Sequence, residues 1–404
     1  MKSANLRYAE KPMFARRTHW PTTENELARR VRERRERGLP LLDLTESNPT
    51  RCAFAYPREA ILAPFLSPEN MLYEPSPRGA RSAREAIARY YEERGAAVDP
   101  DRLILTASTS EAYAFLFRLL ADPGDRLLVP RPSYPLFEFL ADVNDVELNA
   151  YRLVYDGQWR IDIESVYAAI GSRTRALILV NPNNPTGSFV KRDEWERLLA
   201  CCAAYGLAVI SDEVFLDYAY GEDAHRVGTL LQGDETGVLT FALGGISKLI
   251  GLPQMKLAWI GVVGPEPLVR EALLRLEIIG DTYLSVSTPV GHALPHWMRE
   301  GAFVREQIQE RVRTNRAYLR ESIARSSECR CLEAEGGWYA ILHLSDGRDD
   351  EAFALELLEQ EGVLVHPGYF FDFEEEGYIV LSLLPPPEVF QEGVRRIVRH
   401  IEQG

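Results

Sequence analysis

Apolar positions are spread along this chain in two textures. From about residue 100, runs that are apolar at consecutive positions alternate with segments of helical spacing. RLILTAS (Arg102–Ser108) precedes EAYAFLFRLLA, RLLVP (Arg126–Pro130) precedes a helical stretch near Leu136–Ala141, and TRALILVN (Thr174–Asn181) precedes EWERLLACCAAYG. LAVISDE (Leu207–Glu213), VLTFALGG (Val238–Gly245) and KLAWIGVV (Lys256–Val263) continue the series. Continuous apolarity suits strands covered on both faces, and strands alternating with helices predict a mainly parallel α/β sheet. In such sheets ligands bind beyond the carboxyl ends of the strands.

The flanks read differently. The opening stretch is polar up to ELARRVRERRERG, where the interspersed Glu26, Glu33 and Glu36 mark a solvated helix face. LLDLTESNPT (Leu41–Thr50) reads as a short strand entering a loop. Leu268–Ile279 is helical, and Ser285–Pro289 forms a loop. A long charged helix then spans Val304–Arg325. GGWYAILHL, FALELLEQEG, GVLVHPG and GYIVLSLL predict a smaller α+β unit.

With 404 residues the chain exceeds what one core usually covers, so two domains are expected. A net charge of -14 repels phosphate backbones and anionic lipid, so neither nucleic acid nor membrane is an expected partner. No apolar stretch reaches the length of a membrane span, and MKSANLRYAEKPMF holds no signal-like apolar run; a cytoplasmic protein is expected. Five cysteines, an odd number without zinc-site spacing, imply neither a disulfide framework nor a metal centre. His292 and His296 are separated by Pro295 among others and lack a neighbouring carboxylate, so no metal is expected there either.

Chemistry concentrates at strand ends. NPNNPTG (Asn181–Gly187) follows ALILV, SDEV (Ser211–Val214) follows LAVI, and GGISK (Gly244–Lys248) follows VLTFAL. Taken singly each suits a turn; together they place an amide, a carboxylate and an amine on one sheet edge. Their order resembles that of the class I/II aminotransferases, which are fold-type I enzymes dependent on pyridoxal phosphate (PLP). YEPSPRG (Tyr73–Gly79), TASTSEA (Thr106–Ala112) and PSYP (Pro132–Pro135) extend the resemblance, which runs from about Asn48 to Ser382.

The resemblance implies a large PLP-binding domain over 58–288 with a mostly parallel seven-stranded sheet, and a small α+β domain built from 1–57 and 289–404. It also implies a role for each motif residue. Lys248 is the Schiff-base lysine and the proton carrier at the substrate α-carbon, with Ser247 beside it. Asp212 pairs with the pyridinium nitrogen, Asn184 bonds the ring 3-oxygen, and Tyr134 stacks on the ring. Ser108, Thr109 and Ser110 combine hydroxyls with the N–H groups of a helix start, which suits the cofactor phosphate as well as ordinary capping. Tyr73 reaches the phosphate of a neighbouring subunit, which makes the protein a homodimer with shared active sites.

Four family positions are altered. The phosphate-binding arginine is Lys256, which keeps charge and loses the bidentate fork. A hydroxyl residue is replaced by Gly245, and the tyrosine that donates to the 3-oxygen by Phe215. The arginine that clamps the substrate α-carboxylate is Val380. Ser47, Asn48, Arg51 and Arg78 are the candidate substrate residues in its place. The expected reaction moves an amino group from an amino donor to a 2-oxo acid. Rivals are β-elimination of the C–S lyase kind, decarboxylation, or a non-catalytic sensor of the same fold.

Overall fold

The computed structural model describes residues 13–232, 237–345 and 347–403; most of the signal-peptide reading therefore falls on residues outside the described part. The apolar runs become an eight-stranded sheet. Its order is Leu103–Thr106, Ala258–Val263, Thr240–Gly245, Ala208–Asp212, Thr174–Val180, Arg126–Arg131, Glu147–Tyr155 and Trp159–Ile161. Five of these, from Thr240–Gly245 through Glu147–Tyr155, pair in parallel. Ala258–Val263 runs antiparallel to both of its neighbours. Leu103–Thr106 therefore points the same way as the parallel set.

Every residue of Leu103–Thr106, Ala208–Asp212, Thr240–Gly245 and Ala258–Val263 is buried, as continuous apolarity predicts. Helices cover both faces, and the core divides accordingly. Phe115, Ile178, Ile210 and Leu276 pack on one side. Leu128, Leu177 and Val209 face the helix Arg192–Tyr205 with Leu198 and Cys202 on the other.

The sheet exceeds the seven expected strands by one short edge strand. Trp159–Ile161 returns as a hairpin against Glu147–Tyr155. Glu147–Tyr155 itself mixes exposed and buried positions, which is why no apolar run announces it. The helix Thr288–Glu300 starts inside the expected Ser285–Pro289 loop and contains Pro295. Its buried Trp297 donates to the Ile61 carbonyl at 2.9 Å.

A second, antiparallel sheet joins Cys329–Cys331, Tyr339–Leu344, Tyr378–Ser382 and His366–Pro367. Ala302–Ile323 and Pro387–Gln403 pack beside it. Leu42–Asp43 pairs in parallel with Val363–Leu364, and Leu44 carries the chain on: the Ser382 N–H donates to its carbonyl at 2.7 Å. This pairing brings the Thr45–Asn48 loop alongside the strand Tyr378–Ser382. Among the described residues no helix is long and apolar enough to cross a membrane.

Candidate active site

The strand directions decide where the motif residues meet. Four parallel-pointing strands end at one sheet edge, and each end carries a motif. Leu103–Thr106 leads to Ser108, Thr174–Val180 to Asn184, Ala208–Asp212 ends on Asp212, and Thr240–Gly245 leads to Lys248. Ala258–Val263 runs the other way, so its first residue lies at the same edge, opposite Thr106 and Gly245.

A cavity of about 280 Å³ opens there. Of the predicted residues, Ser47, Ser108, Thr109, Ser110, Tyr134, Asn184, Asp212, Ser247 and Lys248 line it. Tyr113, Phe137 and Tyr339 also line it and are absent from the motif reading. Tyr113 sits one turn beyond Thr109 on the helix Thr109–Leu120, on the face turned to Asp212; helical spacing from the hydroxyl cluster was the only signal for it.

The carboxylate of Asp212 is held at both oxygens. Oδ1 accepts from the Val214 N–H at 3.1 Å and Oδ2 from the Tyr113 hydroxyl at 3.1 Å. Burial dominates and lifts Asp212 to about 6, against these hydrogen bonds and the pull of Lys248. Burial likewise lowers Lys248 to about 8, with Asp212 opposing. The pair therefore presents an amine poised near neutrality facing a carboxylate in want of a cation.

Asn184 is buried, and its Oδ1 has no partner among the described residues. Ser108 caps its helix by accepting the Glu111 N–H at 3.1 Å, and the following N–H groups and hydroxyls form an anion-binding end. Such a set can attach a carbonyl compound at Lys248, hold its anionic group at the helix start and neutralise a ring cation at Asp212.

Asn48, Arg51, Tyr73, Arg78 and Lys256 are not part of the lining. Asn48 caps the turn after it, its Oδ1 accepting from Thr50. The Arg78 guanidinium is engaged by Glu277 at 2.6 Å and by the Asp101 carbonyl at 2.5 Å. Arg51 has a side chain 75% exposed, 3.9 Å from Glu46. Lys256 is exposed, in a left-handed backbone conformation. Tyr73 is 76% exposed, on the rim of a separate cleft of about 700 Å³.

Val380 is fully buried opposite Ile341, and pairing puts it on the sheet face that also carries Tyr339. An apolar side chain thus fills the position at which the family resemblance implies an arginine. Among the described residues Lys248 is the only cation in the cavity lining.

The chain as a whole is similar to known proteins. The family model for aminotransferase class I and II matches residues 47–397. An arginine–pyruvate transaminase of Pseudomonas aeruginosa is 30% identical over 331 residues, covering 79% of this chain and 80% of its own. A glutamate-pyruvate aminotransferase of Haemophilus influenzae is 24% identical over 375 residues, with 91% and 92% covered. The alanine aminotransferase of Pyrococcus furiosus superposes with a TM-score of 0.86 at 25% identity, covering 97% of this chain and all of the other. With the family model spanning most of its length, this chain belongs to the class I and II aminotransferases.

Proposed function

We propose that the chain moves an amino group from an amino acid to a 2-oxo acid with pyridoxal 5'-phosphate held on Lys248. The observation that carries this reading is the convergence of Lys248, Asp212, Asn184 and the Ser108–Ser110 helix start on one cavity. These residues fit the cofactor. The buried Asp212 carboxylate would take the ring nitrogen, the buried Asn184 amide would donate its N–H to the ring 3-oxygen, and the helix start would receive the phosphate. When bound, the cofactor supplies the electron sink.

The chain's own residues do the rest. Lys248 carries the proton to and from the substrate α-carbon, and its lowered basicity lets it both give and accept near neutral pH. Asp212, fixed by Tyr113 and Val214, keeps a negative charge against the ring nitrogen. Tyr134 offers a face to the ring. Phosphate binding leans on hydroxyls and helix N–H groups, since Lys256 lies outside the lining.

For the substrate carboxylate, Arg51 is the better replacement for the lost arginine. Its guanidinium is exposed and only loosely approached by Glu46, whereas Arg78 is tied to Glu277. The protein works in the cytoplasm as a homodimer. Supporting the dimer, Tyr73 is exposed and outside the lining of its own chain's cavity.

The deciding experiment titrates the purified holoenzyme with a panel of amino acids without any 2-oxo acid, following the visible spectrum. Loss of the lysine-bound cofactor band with one donor, and its return on adding a 2-oxo acid, is expected. A band that persists across the panel would exclude transamination.

A further inference from the structure

Lys248 also lies against aromatic rings. Its Nζ lies 4.7 Å from the centroid of the Trp338 ring and 5.5 Å from that of Phe215. The two rings meet edge to face at 5.3 Å, and Tyr218 packs on Trp338 at 5.0 Å. The Tyr218 hydroxyl donates to the Lys248 carbonyl at 2.6 Å, so one residue holds both the lysine backbone and the indole.

Trp338 precedes the strand Tyr339–Leu344 of the small sheet, yet its neighbour Gly337 is anchored to the segment that follows Ala208–Asp212. The Gly337 N–H donates to the Tyr218 carbonyl at 3.0 Å, and the Tyr220 hydroxyl donates to the Gly337 carbonyl at 2.9 Å. Trp338 is fully buried, and its Nε1 finds no partner among the described residues. A buried N–H without a partner costs stability that a phenylalanine would not incur. Packing alone therefore does not account for an indole here, whereas attraction of an ammonium does, because tryptophan has the strongest cation–π face.

We propose that Trp338, backed by Phe215 and Tyr218, is a positioning residue that seats the Lys248 amine on its ring face and favours the charged form. The inference rests on Lys248 being the proton carrier of the proposed reaction. Asp212 is the charged group that acts on Lys248. Tyr113, Tyr134, Tyr218 and Tyr339 surround the site as neutral phenols, each raised chiefly by burial.

The test uses the apoprotein, free of cofactor and substrate. Acetic anhydride labels Lys248 in competition with other amines across pH, and mass spectrometry of its peptide gives the midpoint. Trp338→Leu lowers that midpoint by about half a unit to one unit, and Trp338→Phe lowers it less. An unchanged midpoint overturns the proposal. So does a rise, which marks water entering an emptied space. If the leucine variant fails to fold, the phenylalanine variant decides by the same signs. The labelling needs no turnover, so its failure leaves the aminotransferase reading standing, and a failed spectral titration with a normal labelling shift removes that reading alone.

Discussion

Gly187, the last residue of NPNNPTG, packs against the Ala334–Gly336 segment, and alanine there should separate geometry from mere glycine flexibility. Its φ is +67, and an added Cβ would lie 2.3 Å from the Gly336 carbonyl oxygen and 2.9 Å from the Ala334 Cβ. The left-handed conformation costs an alanine about 1 kcal/mol. Backbone cannot yield to a 2.3 Å contact without moving, so the Glu335 N–H to Gly187 carbonyl bond at 3.1 Å is lost, at about 1 kcal/mol. Overpacking strain adds roughly 1–3 kcal/mol. Gly187→Ala is thus expected to cost about 3–5 kcal/mol. Gly206 is the control: its φ is +65 with nothing within 4 Å of the added Cβ, so Gly206→Ala costs about 1 kcal/mol. Urea unfolding of both variants gives the two losses. The displaced segments lead to Asn184 on one side and Trp338 on the other, so cofactor retention after gel filtration should fall only in Gly187→Ala. Equal losses in the two variants would refute the close-approach argument.

Three further outcomes follow from the site. Burial raises Asp212 from 3.8 to about 6, so the folded apoprotein keeps a proton that the unfolded chain releases between those values; this group's contribution is intact below pH 4 and lost as pH rises through 6. Asp212→Asn should therefore gain stability over wild type across that window, by up to about 3 kcal/mol, while losing activity; thermal melts of both apoproteins at pH 4 and pH 7 check it, and a constant difference speaks against it. Phe215→Tyr restores the missing donor to the cofactor's 3-oxygen and should lower the pH midpoint of the holoenzyme's visible titration by about one unit, an unmoved midpoint showing that the hydroxyl does not reach. Arg51→Ala should raise KM for the 2-oxo acid about tenfold or more with kcat little changed, while Arg78→Ala leaves KM alone; the reverse ranking in steady-state kinetics would transfer the carboxylate to Arg78.

Much of the site was legible because its residues sit in runs of neighbours. NPNNPTG, SDEV and GGISK each follow a buried strand, and strand-end polarity is a local signal. Tyr113 was illegible for the opposite reason: it meets Asp212 across 99 residues of chain, and on its own helix it reads as one more apolar position. Trp338 sits in GGWYAILHL, where an aromatic at the head of a strand suggests core, and only the contact with Lys248 gives it another meaning. Glu147–Tyr155 escaped the apolar count because it is only partly covered, and Thr288–Glu300 because the interior Pro295 argues against a helix that tertiary packing supports.

By itself the sequence determined the α/β class, the strands that lie under helices and the strand-end motifs that line the cavity, because burial periodicity and strand-end motifs act over a few residues. It also determined that the strand Tyr378–Ser382 carries an uncharged Val380 where the family resemblance implies an arginine. Tertiary structure decided the rest. It decided strand order, which put Ala258 at the cavity by running its strand backwards. It set the basicities of Asp212 and Lys248, which depend on burial and on each other. It also left Arg51 loosely held while tying Arg78 to Glu277, a distinction made by partners 5 and 199 residues away. Contacts between distant segments follow from packing of the whole chain, and no local window of sequence contains them.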